Sequence, residues 1–156
     1  MYPSLRPLLN KGGAGRYISR EESVERLQPI AAAHLDLVYA YDAAAAALDG
    51  PARERLDAVT PYLRTETNKV YETILSLGGT APMGTQREPA APASGDVGSI
   101  VRRLREAETR FAAILRDEVD VVHHQERTRA ILEHNARASD SRLGVLRDLV
   151  AELKLV

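Results

Sequence analysis

Cysteine is absent from this chain, which excludes disulfides, thiolate nucleophiles and cysteine-ligated zinc or iron–sulfur centres. Tryptophan is absent too, and Phe111 is the only phenylalanine. That scarcity argues against an aromatic stacking platform for single-stranded nucleic acid. No sign of charge dominates: 21 basic residues nearly cancel 22 acidic ones, for a net charge of −1. A dedicated nucleic-acid binder usually shows a clear basic excess. No apolar run approaches the ~20 residues needed to cross a membrane. No charged-then-apolar leader opens the sequence. The expectation is a cytoplasmic protein with no membrane contact. There is no Gly-x-Ser-x-Gly nucleophile motif. Gly12-Gly13-Ala14-Gly15 follows no expected strand and lacks the lysine–serine ending of a phosphate loop.

Helix formers fill the space these absences leave. Ala, Leu, Arg and Glu dominate the 156 residues, a length that fits one domain with its own core. Residues 1–18 carry Pro3, Pro7, Gly12, Gly13 and Gly15 and read as an extended, flexible arm. Arg6, Lys11 and Arg16 make that arm basic, and it holds no acid. It suits either a solvated tail or a contact with phosphate or a neighbouring subunit. Residues 19–156 read as a single helical-bundle domain.

Ser19 and Glu22 form a capping box that starts helix 1, expected over residues 20–48 and ended by Asp49-Gly50. Its apolar stripe is Leu27, Ala31, His34, Val38, Tyr41, Ala45 and Leu48, and Pro29 predicts a kink. Helix 2 starts at Pro51 and stops at Gly78-Gly79. Leu56, Val59, Leu63, Glu66, Val70, Ile74 and Leu77 line it, and Pro61 predicts a second kink. Residues 79–95 form a long polar connection that carries Pro82, Gly84, Pro89, Pro92, Ser94 and Gly95, consistent with a crossover. Asp96 caps helix 3, whose stripe is Val97, Val101, Leu104, Phe111, Leu115, Glu118 and Val122. Leu132, Ala136, Leu143, Leu146, Val150 and Leu153 supply helix 4. The break between these last two falls either near His124–Glu126 or at Ser139-Asp140-Ser141. Short link, long link, short link suits an all-α antiparallel four-helix bundle with one long crossover between helices 2 and 3.

Ionisable groups on the apolar stripes are the candidate chemistry, because a buried charge must be paired or bound to a metal. Three stand there: His34, Glu66 and Glu118. Around the tight first turn, His34 and Glu66 reach nearly the same depth. Glu108 on helix 3 and Asp140 on helix 4 fall at mid-bundle under the first of the two breaks. His34, Glu66, Glu108 and Asp140 are therefore a candidate metal layer, since oxygen and imidazole donors suit iron, manganese or zinc. The plainer alternative is a His34–Glu66 core hydrogen bond that fixes register, with Glu108 solvated and Asp140 a cap. A second candidate set is Glu118, Asp120 and His123, with His124 beside it. Histidines near a helix C-terminus also complement the helix dipole without any ligand. Arg102, Arg103, Arg105, Arg110 and Arg116 alternate with acids and read as a solvated face.

The run from Lys69 to Pro82, ending Leu77-Gly78-Gly79-Thr80-Ala81-Pro82, resembles the helix-Gly-Gly-x-x-Pro ending of an uncharacterised bacterial branch of the ferritin-like four-helix-bundle superfamily. Residues 20–154 are similar to that family's helix pattern. The resemblance implies the fold. It also implies that metal-binding members use inward glutamates and a Glu-x-x-His pair on each of two helices. This sequence has no Glu-x-x-His; Asp120-Val121-Val122-His123 is the nearest substitute, and Val70 follows Glu66 where a histidine would serve. Three functional expectations follow. The first is a non-catalytic bundle acting by self-association, as a homo-oligomer, or through a protein partner. The second is an iron or manganese redox or storage protein. The third is a Dps-like nucleoid protein binding DNA through the arm.

Overall fold

The structure is a computed structural model that describes residues 18–80, 92–122 and 126–153. It is all-helical, with no strand among the described residues. Four helices pack against one another: α1 (Arg20–Ala47), α2 (Gly50–Ser76), α3 (Val97–Val121) and α4 (Glu126–Glu152). Helix α1 packs on α2 and α3, and α4 packs on the same two. No described helix is long and apolar enough to cross a membrane.

The caps sit where local chemistry asks for them. The Ser19 hydroxyl accepts the Glu22 amide at 3.1 Å, satisfying one orphan donor of the first turn. Asp96 does the same for the Ser99 amide at 2.7 Å. Only Leu48 and Asp49 separate α1 from α2. Gly50 takes a left-handed φ of +57° there, and Pro51 occupies the first turn. Helix α2 ends in a glycine closure. Gly78 has φ +86°, its amide reaches Leu75 O, and the Gly79 amide reaches Ile74 O, each at 3.0 Å. Pro29 and Pro61 lie inside α1 and α2 without splitting either helix. Helix α4 begins at Glu126, so the first of the two expected breaks is the observed one, and Ser139-Asp140-Ser141 is helical. Residues 1–17 of the expected arm, residues 81–91 of the expected crossover, and His123 and His124 lie outside the described residues.

The core face is mostly apolar on three helices and mixed on the fourth. Leu27, Ile30, Leu37 and Tyr41 of α1 meet Leu56, Leu63, Val70 and Ile74 of α2, and Val101, Leu104, Phe111 and Leu115 of α3. The inward face of α4 is Thr128, Leu132, Asn135, Ser139, Arg142, Leu146 and Leu149. That face alternates steps of three and four, as a bundle helix should. It differs from the expected stripe: Ala136, Leu143, Val150 and Leu153 are only partly buried. Val97 of α3 is also exposed rather than in the core.

Gly79 is held close to α1, and a Cβ there would lie 2.4 Å from Val24 Cγ1 and 2.8 Å from Val24 Cγ2. Gly79→Ala should therefore destabilise the protein by about 1–3 kcal/mol through overpacking. The loss should shrink in a Val24→Ala background, as read by urea denaturation of the four proteins.

Candidate functional site: a buried layer of charge

One layer of the core is ionic, and every helix contributes to it. Helix α3 supplies Glu108, which has no solvent exposure. Its carboxylate accepts four hydrogen bonds. Tyr41 of α1 donates to Oε2 at 2.7 Å, and Ser139 of α4 donates to Oε1 at 2.5 Å. Arg142 of α4 donates from Nε to Oε2 and from Nη2 to Oε1, both at 2.9 Å. The last pair is the parallel fork that guanidinium and carboxylate planes form best. Helix α2 supplies Glu66, whose Oε2 accepts Arg142 Nη1 at 2.7 Å. One guanidinium thus joins two carboxylates on two different helices.

Protonation follows from this geometry. Burial works against the charge on Arg142, but hydrogen bonding and attraction to Glu108, with further attraction to Tyr41 and Glu66, outweigh it and hold its pKa above the ordinary value. The Tyr41 hydroxyl is pushed far up, first by burial and then by the charge and hydrogen bond of Glu108, so it remains a donor. His34 lies in the same interior with no exposure, its ring 4.8 Å from that of Phe111. Neither ring nitrogen has a hydrogen-bond partner among the described residues. Burial, then the nearby Arg142 charge, push its pKa down to about 3, so the imidazole is neutral. The expected His34–Glu66 hydrogen bond is not made: Glu66 turns to Arg142 instead.

The other candidates lie elsewhere. Asp140 is on the outer face of α4, exposed and paired with Arg116, so it does not join the layer. The α4 inward face passes through Ser139 and Arg142, and the residue next to Ser139 on a helix must point away from it. Glu118 is half-buried and binds Arg26 of α1 at 3.2 Å. Asp120 is exposed. Among the described residues, no three histidines, aspartates or glutamates come together as a group able to hold a metal. Arg142 and Ser139 are the members that sequence reasoning missed. Their signal was the 128, 132, 135, 139, 142, 146, 149 spacing, which stripe-hunting by apolarity passes over.

No protein-family model matches this chain, and no curated protein matches it. The site's meaning rests on its own geometry.

Two outcomes follow. Removing one partner of a buried pair leaves a buried charge uncompensated, at a cost of about 3–5 kcal/mol. Arg142→Met and Glu108→Gln should each lose that much by chemical denaturation, and the double variant should lose less than the sum. The second concerns acid. His34 has a folded pKa of about 3 against the usual 6.5, so below pH 6.5 the unfolded state binds the extra proton. Its contribution is therefore full above pH 6.5 and is lost as pH falls towards 3, with a slope approaching about 1.4 kcal/mol per pH unit. His34→Leu should flatten the stability curve between pH 6 and 5, where most carboxylates have yet to titrate.

Proposed function

We propose that this chain is a ferritin-like antiparallel bundle that is non-catalytic and acts by self-association or through a protein partner, with an arginine standing where a metal-binding relative would hold its ion. The carrying observation is the Arg142 guanidinium, which spans Glu66 and Glu108 at mid-core. The donors themselves decide whether a metal fits. Both oxygens of Glu108 already accept two hydrogen bonds each, and Arg142 is the cation beside them. The only buried histidine among the described residues sits over Phe111 and contacts no carboxylate oxygen. These residues do not suit iron or manganese, so no redox step is assigned to them.

Several contacts support the antiparallel arrangement. Along α1 and α3, Arg26 meets Glu118 while Tyr41 meets Glu108. Along α2 and α4, Arg55 meets Glu152 while Glu66 meets Arg142. In both pairs, residue numbers rise on one helix as they fall on the other. The visible ends of the long connection support a crossover. Thr80 O accepts from Gln28 early in α1, whereas the Ala93 amide donates to Ala43 O near its end. A ferritin-like link between helices 2 and 3 runs the length of the bundle in this way.

The metal-binding alternative predicts a different composition of the purified protein. Elemental analysis after incubation with ferrous or manganous ion should find only substoichiometric metal that dialysis removes. Stoichiometric, tightly held iron or manganese, lost in Glu66→Ala, would overturn the reading. Light scattering on the same sample decides between self-association, seen as a defined oligomer, and action through another protein, seen as a monomer.

A further inference from the structure

We infer that the groove between α2 and α4, above Glu66, is a binding site for a small protonated alkylamine. The groove encloses about 220 Å³ and is lined by Val59, Tyr62, Glu66, Ala138, Ser141, Arg142 and Val145. Its floor is the rim of the ionic layer. That layer sets two carboxylates against one guanidinium, and His34 stays neutral. Two carboxylates therefore share one guanidinium, which leaves acceptor capacity that Arg142 does not fill. The geometry locates it. Glu108 is saturated, with two donors on each oxygen. Glu66 is not: Oε2 binds Arg142, whereas Oε1 has only His134 Nε2 at 4.0 Å, beyond hydrogen-bond reach. Glu66 is 8% exposed as a whole, and Oε1, on the groove side, keeps access to water while accepting no hydrogen bond from the described residues. An ammonium group placed there would meet a carboxylate oxygen that no described protein donor fills.

The walls suit the rest of such a ligand. Tyr62 is 73% exposed, the most exposed large apolar side chain among the described residues. An aromatic face beside a carboxylate is the common arrangement for holding an organic cation. Val59 and Val145 offer aliphatic surface for an alkyl chain, and Ser141 offers a hydroxyl at the edge. A carboxylate ligand would meet Glu66 head-on, while Arg142 has its charge already engaged by two partners. The volume limits the ligand to a few carbons. This inference does not require the bundle's proposed mode of action, although both involve Glu66 and Arg142.

Titrating the full chain with n-butylammonium chloride, followed by the methyl resonances of Val59 and Val145, which every variant retains, tests it. Saturable shifts at Val59 and Val145 are expected, with sodium butyrate producing none. Tyr62→Ala, an exposed change that leaves the fold intact, should weaken binding roughly two- to five-fold, the size of an exposed cation–aromatic contact. Glu66→Gln keeps the shape and removes the charge, and should weaken it at least about ten-fold, the worth of a charge-assisted hydrogen bond. Should Glu66→Gln not fold, Tyr62→Ala alone decides. Absence of saturable shifts, equal response to butyrate, or unchanged affinity in Tyr62→Ala would each overturn the assignment.

Discussion

The Glu108–Arg142 contact is the constraint on which the arrangement of the helices depends. A carboxylate with no exposure is tolerable only when its lone pairs are filled, because its desolvation is expensive and is repaid only in good geometry. Here the filling comes from Tyr41 on α1 and from Ser139 and Arg142 on α4, while Arg142 in turn holds Glu66 on α2. Each helix therefore has one residue whose depth is fixed. Sliding any helix by a turn, about 5.4 Å, would strand at least one buried polar group. Leucine contacts alone tolerate such slips far better, since apolar surface is non-directional. The ionic layer therefore adds specificity of register where it adds little net stability.

The same logic explains what was legible in the sequence. Caps and stops could be read because they rest on local chemistry. Ser19 with Glu22, Asp96, Pro51 and the Gly78-Gly79 closure all act within a few residues of themselves. The stripes of α1 and α2 could be read because most of their members are apolar, so that His34 and Glu66 stood out as exceptions. Helix α4 defeated the method. Four of its seven inward positions are polar, namely Thr128, Asn135, Ser139 and Arg142. A search for apolar spacing therefore settled on Ala136, Leu143, Val150 and Leu153, which lie around the edge of that face. Depth alone had placed Asp140 at mid-bundle, but the inward face at that depth belongs to Ser139 and Arg142. An arginine is ordinarily a surface residue. Its burial is decided by Glu108 and Glu66, which lie 34 and 76 residues away in the chain. No local rule carries that information.

His34 is the costly member of this interior. Asn135 at least donates its amide to Ile131 O at 2.8 Å, and Thr60, Thr67 and Thr73 each bond a carbonyl one turn back. His34 bonds nothing, stacks on Phe111 and stays neutral because Arg142 and burial both oppose its proton. A leucine would cost less at that depth. The imidazole is thus a place where the sequence departs from its most stable choice, and the departure lies beside the one layer that fixes the four helices. A proton forced onto His34 would face Arg142 with no acceptor of its own. The interior is stable only while that ring is uncharged.

The two glutamates divide the layer into an inner and an outer half. Glu108 has its capacity spent on the protein itself, so it can hold the helices but can bind nothing further. Glu66 stands at the boundary, with one oxygen on Arg142 and the other facing the α2–α4 groove beneath exposed Tyr62. Any ligand that engaged the outer oxygen would pull on the same carboxylate that positions Arg142, and through it on Glu108, Tyr41 and Ser139. Occupancy of the groove would therefore bear on the register of the bundle through a single side chain. That coupling requires no moving loop. It follows from placing an unsaturated carboxylate at the edge of a saturated one, with one guanidinium between them.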